Sequence, residues 1–400
     1  MIGYLDYLLG GVVFLIIFIP SIFLSLELLF GIFFKQSQHN VSADVSLDGV
    51  FVIIPAHNEE LIIEDTLKKL QFELGCLNNV VVVADNCSDM TASIANGLGA
   101  QVVERQNEAQ RGKGYALDAG VNHIRDLSPE VVIIFDADCE FVSGSFFNLV
   151  LCCKHNNSVV QSEYLMQAPA SASVKTRVAE FAWLVKNKIR PQGLSLFNIN
   201  CQLQGSGMAF PWRVFEHISF ASGSIVEDLE LGLKLNSLSE RVAFDSSSKV
   251  ISYFPESEIG TQTQRTRWEH GHLASIAMLP KAMLAALSKG NIRSLFTSLD
   301  AMIPPTVLWL MLVFTCLVAS ALVTFFGMYL PFYLSFIAFG SISLCLFLSW
   351  FCLGRNILPL RDFSAIFIYV LSKFNVYGSF LRGREKSWVR TDRGKKNDDN

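Results

Sequence analysis

Three long apolar runs constrain this 400-residue chain before any motif does. Gly11–Phe34 is mostly apolar over about 24 residues, interrupted by Pro20 and Glu27. Met302–Leu330 and Pro331–Leu353 come much later, separated by little more than a turn. Each run can span a bilayer core, which takes about 20 helical residues. The first is too long for a signal-peptide core and no clear A-x-A site follows, so a retained anchor is expected. Glu27 is costly inside it and is expected to face protein or the interface. Lys35 follows the first run, whereas acidic Asp6 precedes it. The tail carries Arg355, Arg361, Arg382, Arg384, Lys386, Arg390, Arg393, Lys395 and Lys396. Basic residues collect on the cytosolic side, so three crossings with the middle and the C-terminus inside satisfy the cues. Phe363–Phe380 is apolar but contains Lys373 and Asn375, and a crossing there would export the basic tail. An interfacial or re-entrant helix is expected instead.

The segment between the runs has ordinary globular composition, although the whole chain is 51% hydrophobic and 17% charged. It is long enough for its own core. A net charge of −4 argues against nucleic acid as a partner. The nine cysteines are dispersed without zinc-like spacing, as reduced thiols on a cytosolic face would be.

Apolar strands alternate there with amphipathic helical stripes. Val50–Ile54, Val80–Ala84, Gln101–Glu104, Val131–Phe135 and Val159–Tyr164 read as strands. Ile63, Leu67 and Leu70, then Thr91, Ile94, Ala95 and Leu98, then Leu117, Val121 and Ile124, mark the helices between the first four. Phe146–Lys154 and Val174–Ile189 read as further helices, Pro191–Asn200 as a loop, and Glu227–Leu235 as a helix start. Val242–Phe244 and Val250–Tyr253 read as two short strands. This alternation predicts an α/β, Rossmann-like domain with a mostly parallel sheet. Thr261–Leu279 mixes Arg265, Arg267, His270 and His272 with Trp268, Leu273, Ile276 and Met278, as an amphipathic helix at a membrane surface would.

Acidic residues recur where such a sheet presents its loops to one edge. They are Glu59, Asp85, the pair Asp136 and Asp138, and Glu227-Asp228. On an extended chain, Asp136 and Asp138 at i, i+2 point the same way, and a divalent ion on phosphate would relieve their repulsion. Such a set suits metal-assisted transfer from a nucleotide diphosphate, with one carboxylate as general base. Lys113, between two glycines at a helix start, can meet phosphate. Gln264 and Arg267 share a helix face at i, i+3, and Trp268 offers a stacking plane or a bilayer anchor. His270 and His272 diverge on a helix, which disfavours a metal there. His57 reads as a turn residue or nucleotide contact.

In order, Pro55-Ala56-His57-Asn58-Glu59, Asp85-Asn86-Cys87-Ser88-Asp89, Arg111-Gly112-Lys113-Gly114, Asp136-Ala137-Asp138, Gly205-Ser206-Gly207, Glu227-Asp228 and Gln264-Arg265-Thr266-Arg267-Trp268 form a specific set. Across Val50 to Met278 the chain resembles a family 2 glycosyltransferase of the membrane-embedded, cellulose-synthase-like kind, in an exopolysaccharide-associated branch. The resemblance implies a GT-A fold, an α/β catalytic domain joined to α-helical transmembrane segments, and an inverting displacement with Mg2+ or Mn2+. It implies that Pro55, Ala56, His57, Asn58, Glu59, Asp85, Lys113 and Asp136 line the donor, and that Asp138 ligates the metal beside Asp136. Asp228, next to Glu227, would be the base. Gly205, Ser206 and Gly207 would line the acceptor path, with Gln264, Arg267 and Trp268 closing over the diphosphate.

The expected layout is an anchor at 1–35, a linker at 36–49, a GT-A catalytic domain at 50–260 and interfacial helices with the QxxRW motif at 261–300. A transmembrane hairpin at 301–354 and a cytosolic basic tail at 355–400 complete it. Three crossings do not easily enclose a polysaccharide. The favoured expectation is therefore transfer of one sugar, glucose by default, from a UDP-sugar to a lipid-linked saccharide; a processive β-glycan synthase is the alternative. Membrane lipids and polysaccharide assembly proteins are the expected partners, and a bacterial inner membrane the expected site. A nucleotidyltransferase would carry a glycine-rich N-terminal loop that this chain lacks. A membrane scaffold or transporter subunit would not need acidic motifs in its soluble part.

Overall fold

The computed structural model describes residues 2–33, 46–255 and 258–363, with 366, 369, 370, 373, 377 and 378; over 258–265 it describes the backbone alone. Most of the expected linker and basic tail, with most of Phe363–Phe380, lies outside the described residues. The chain divides into two compact units. One comprises Met1–Phe34, Ala172–Ile199 and His272–Gly383; the other comprises Lys35–Ser171, Asn200–Gly271 and Arg384–Asn400.

The second unit holds the sheet. Its strands are β1 (Val50–Ala56), β2 (Val80–Asp85), β3 (Gln101–Arg105), β4 (Val131–Ile134), β5 (Glu140–Phe141), β6 (Val159–Gln167), β7 (Met208–Pro211) and β8 (Val242–Tyr253). They form one eight-stranded sheet in the order β3-β2-β1-β4-β7-β6-β8-β5. β3, β2, β1 and β4 run parallel; β7 is antiparallel to β4 and β6. β4 is apolar throughout because both its faces are covered, and Val131 through Phe135 are at most 2% exposed. Ile53, Val83, Val121, Val132, Phe210 and Phe220 share one core with it. The parallel strands thus bring the ends of β1, β2 and β4 to one edge.

The two short strands expected at Val242–Phe244 and Val250–Tyr253 are halves of β8. Its pairing with β6 jumps from Asp245 opposite Ser162 to Lys249 opposite Glu163. Residues 246–248 bulge out, and Asp245 accepts hydrogen bonds from Ser247 and Ser248 there. A polar bulge inside a strand breaks the alternation that the sequence reading relied on.

The first unit carries the apolar helices. Among the described residues, three are long and apolar enough to cross a membrane: Ile2–Phe33, Thr306–Phe326 and Leu330–Gly354. A fourth candidate is the bent pair Thr266–Ile276 and Leu279–Ser288, broken by 45°. The first helix thus begins well before the expected Gly11.

Ala172–Ile199, read in the sequence as part of the 50–260 domain, belongs to this unit. Its helix also does not stop before Pro191. Val174–Leu184 passes through a π turn at Val185–Ile189 into Arg190–Leu196. The Arg190 N–H donates to Val185 O, and the widened turn ends where proline has no N–H to offer. Arg190, 4% exposed, holds Glu27 Oε2 at 2.9 Å and pairs with Asp300. Glu27 therefore faces protein.

Candidate active site

The loops after β1 and β2 are stitched into one surface. Asn58 takes a left-handed φ of +54°, which asparagine tolerates, and its Oδ1 accepts the Ser88 N–H at 2.7 Å. His57 Nδ1 meets Asp85 O at 2.7 Å. The Glu59 N–H donates to Thr91 Oγ1 at 2.8 Å, and the Glu60 N–H to Asp89 Oδ2 at 3.1 Å. Burial alone would raise the Asp89 carboxyl; hydrogen bonds from Thr91 and Glu60 outweigh it and hold the group below its usual range. Asp85 Oδ1 accepts from Arg105 Nη1 at 2.6 Å. Pro55 and Ala56 end β1 beside them. Asn58 thus builds the loop, and Arg105 is a site cation the sequence reading missed. Its only signal was a basic residue closing an apolar strand.

After Ile134 the backbone leaves the strand. Cys139 N–H donates to Asp136 O at 3.2 Å, closing a turn over Asp136-Ala137-Asp138. The carboxylates therefore do not extend the strand, as the i, i+2 reading supposed; the turn brings them together. One oxygen of each lies within 4.8 Å of the other and of Cys139 Sγ. No other grouping of three histidine, cysteine or acidic residues among the described residues comes close enough to share an ion. Burial, then Asp138 and Asp136, push the Cys139 thiol well above its ordinary value. The two carboxylates offer a hard, oxygen-based pair of donors.

Lys113 opens the Lys113–His123 helix. A Cβ on neighbouring Gly114 would meet Phe220 O at 2.5 Å and Ser222 O at 2.7 Å, so glycine lets the 220–224 loop close on this turn. That loop runs into Glu227 and Asp228, which open the Glu227–Ser237 helix, where carboxylates suit the helix dipole. Lys113 Nζ sits 2.5 Å from Asp136 Oδ1 and donates to Gly205 O at 2.9 Å. Burial lowers the Lys113 ammonium, but Asp136, then Glu227 and Asp228, raise it above its ordinary value. Burial and then Asp228 push Glu227 up to about 7, against the pull of Lys113.

Gly205-Ser206-Gly207 threads between these groups. Gly205 and Gly207 have φ of +90° and +64°. A Cβ on Gly205 would stand 3.5 Å from both Asp228 Oδ2 and Lys113 Nζ, and one on Gly207 2.0 Å from Ser162 Oγ. Ser206 Oγ accepts the Asp136 N–H at 3.0 Å. Asp136, Asp138, Lys113, Gly205, Ser206, Glu227 and Asp228 are therefore one cluster.

The Glu258–Ile276 helix carries Gln264, Arg267 and Trp268. The Gln264 side chain lies outside the described residues; Arg267 and Trp268 are half-buried. One turn on, a Cβ at Gly271 would meet Val226 Cγ1 at 2.2 Å. The helix thus approaches the residue that precedes Glu227.

The chain is similar in sequence and fold to known proteins. Residues 48–271 match the family model described as glycosyltransferase like family 2. A probable glycosyltransferase, YdaM, of Bacillus subtilis is 26% identical over 239 residues, 56% of each chain. The poly-beta-1,6-N-acetyl-D-glucosamine synthase of Staphylococcus epidermidis is 24% identical over 276 residues, 64% of each chain. The chain spans 41 to 64% of the length of the curated relatives it matches first. Among solved structures, the mannosyltransferase PcManGT from Pyrobaculum calidifontis, in complex with GDP-Man and Mn2+, aligns with a TM-score of 0.53. The alignment has 15% identity and covers 90% of this chain and 100% of that one. This likeness supports the GT-A fold of the sheet unit. With more than half of its length matched by the family model, the chain belongs to the glycosyltransferase-like family 2.

Proposed function

We propose that this chain is an inverting, metal-dependent hexosyltransferase. It moves a sugar, glucose by default, from a UDP-sugar to a lipid-linked saccharide at the cytosolic face of a bacterial inner membrane. The observation that carries this reading is the cluster itself: two turn carboxylates, a lysine and the Glu227-Asp228 pair around one glycine loop. Asp136 and Asp138 supply oxygen donors of the kind Mg2+ or Mn2+ takes. The bound cation would neutralise the leaving diphosphate.

The remaining roles fall to side chains. Pro55 through Glu59 and Asp85, fixed by Arg105, shape the nucleoside end. Lys113 balances Asp136 and adds a cation near the phosphates. Glu227 is pushed up to about 7 by burial and then Asp228. Asp228 stands beside it at the Gly205 loop, where a Cβ on Gly205 would lie 3.5 Å from its Oδ2. Asp228 accepts the proton of the acceptor hydroxyl as it attacks the anomeric carbon, and an α-linked donor yields a β-linked product. Arg267 and Trp268, with Gln264, close the site from the helix seated on Val226.

The named activity of the Staphylococcus epidermidis relative supports a second reading, processive synthesis with N-acetylglucosamine as the sugar. Binding of labelled UDP-sugars to the full-length chain, with and without EDTA, tests the shared core of both. EDTA-sensitive binding is expected; binding indifferent to EDTA counts against the metal role.

A further inference from the structure

Gln161 lies on β6, fully buried, and is itself part of none of the motifs. Besides a bond from Nε2 to Ser162 O on its own strand, both ends of its amide reach the glycine loop. Its Nε2 donates to Ser206 O at 3.0 Å, and its Oε1 accepts the Gln204 N–H at 2.9 Å. An amide is suited to this double task, because a fixed loop backbone asks for one donor and one acceptor from the same side chain. The loop then passes the constraint on. Ser206 Oγ accepts the Asp136 N–H, the first peptide of the metal turn. Gly205 O accepts Lys113 Nζ, which pairs with Asp136. The Gly207 N–H donates to Ile134 O, just before that turn.

We propose that Gln161 is a positioning residue that sets the metal turn through Ser206. This rests on the reading of Asp136 and Asp138 as metal ligands. Partners behind the ligands orient them, and losing one typically weakens metal binding by about 10- to 100-fold. A residue that merely fills the core would lower stability without moving metal affinity in step with Ser206.

The test measures Mn2+ affinity of the full-length chain in detergent by the electron paramagnetic resonance of free Mn2+, with metal-free melting alongside. Gln161→Met keeps the length of the side chain but not its two hydrogen bonds to the loop. It is expected to weaken Mn2+ binding about 10-fold, and Ser206→Ala to do likewise. The double variant is expected to bind no more weakly than Gln161→Met, because both act on one path. Should Gln161→Met fail to fold, Gln161→Leu, which also lacks both hydrogen bonds to the loop, is expected to show the same loss of affinity. Unchanged Mn2+ affinity in a folded variant, or losses that multiply in the double variant, would overturn the proposal while the metal reading stands. A wild-type chain that binds no Mn2+ would overturn both.

Discussion

Removing the ionisable oxygen of Glu227 by Glu227→Gln perturbs the active-site charge balance at a known point. Burial and then Asp228 push this carboxyl up to about 7, from an ordinary 4.5. The folded state therefore binds a proton more tightly than the unfolded chain. For a raised carboxyl, the native state holds its advantage below pH 4.5 and loses it as pH rises towards 7. That rise to about 7 is worth at most roughly 3 kcal/mol of lost stability above neutral pH. Glu227 is only partly buried, and solvent screening reduces this to ~1–2 kcal/mol. In a domain of this size, that is about 2–8 °C in melting temperature. Melting of the full-length chain in detergent and EDTA, at pH 5 and at pH 8, reads it directly. The wild type should lose several degrees more between the two values than Glu227→Gln. Parallel curves for the two proteins would refute the assignment of the raised group.

Four further outcomes follow from the geometry. Gly207→Ala forces a Cβ to 2.0 Å from Ser162 Oγ at a φ of +64°, so melting should fall by more than the ~1–2 kcal/mol of left-handed strain alone. Gly75→Ala, at φ +78° with nothing within 4 Å, should show the backbone cost alone in the same melting assay. Arg190→Met leaves Glu27 and Asp300 buried without their cation and should cost ~3–5 kcal/mol, read as lost yield of folded chain. Adding Glu27→Gln and Asp300→Asn should recover that yield. Arg105→Met takes the cation from the Asp85 carboxylate and should raise the donor KM with little change in kcat, measured by donor titration.

The sequence was most informative where burial dictates composition. Val131–Phe135 reads as a strand covered on both faces; β4 runs from Val131 to Ile134, and all five residues are buried. The amphipathic stripes located the helices flanking the sheet for the same reason. The aspartates after that strand do meet, but through a turn closed by Cys139, which pleat geometry did not anticipate. What stayed hidden depends on contacts far apart in the chain. Arg105 acquires meaning from Asp85, and Gln161 from a loop beyond residue 200. Pro191 looked like a helix end because a π turn, set by packing rather than propensity, is invisible in local pattern. The bulge in β8 split one strand into two apparent ones, because polar residues interrupt its apolar alternation.

The most direct test of the account is mass spectrometry of lipid-linked products from membranes containing this chain, supplied with a panel of nucleotide sugars. A one-sugar, EDTA-sensitive increment from a UDP-hexose is expected, lost by about 100-fold or more in Asp228→Asn. A ladder of products would replace single transfer with processive synthesis. Full product formation by Asp228→Asn, or in EDTA, would contradict the proposed chemistry of the site.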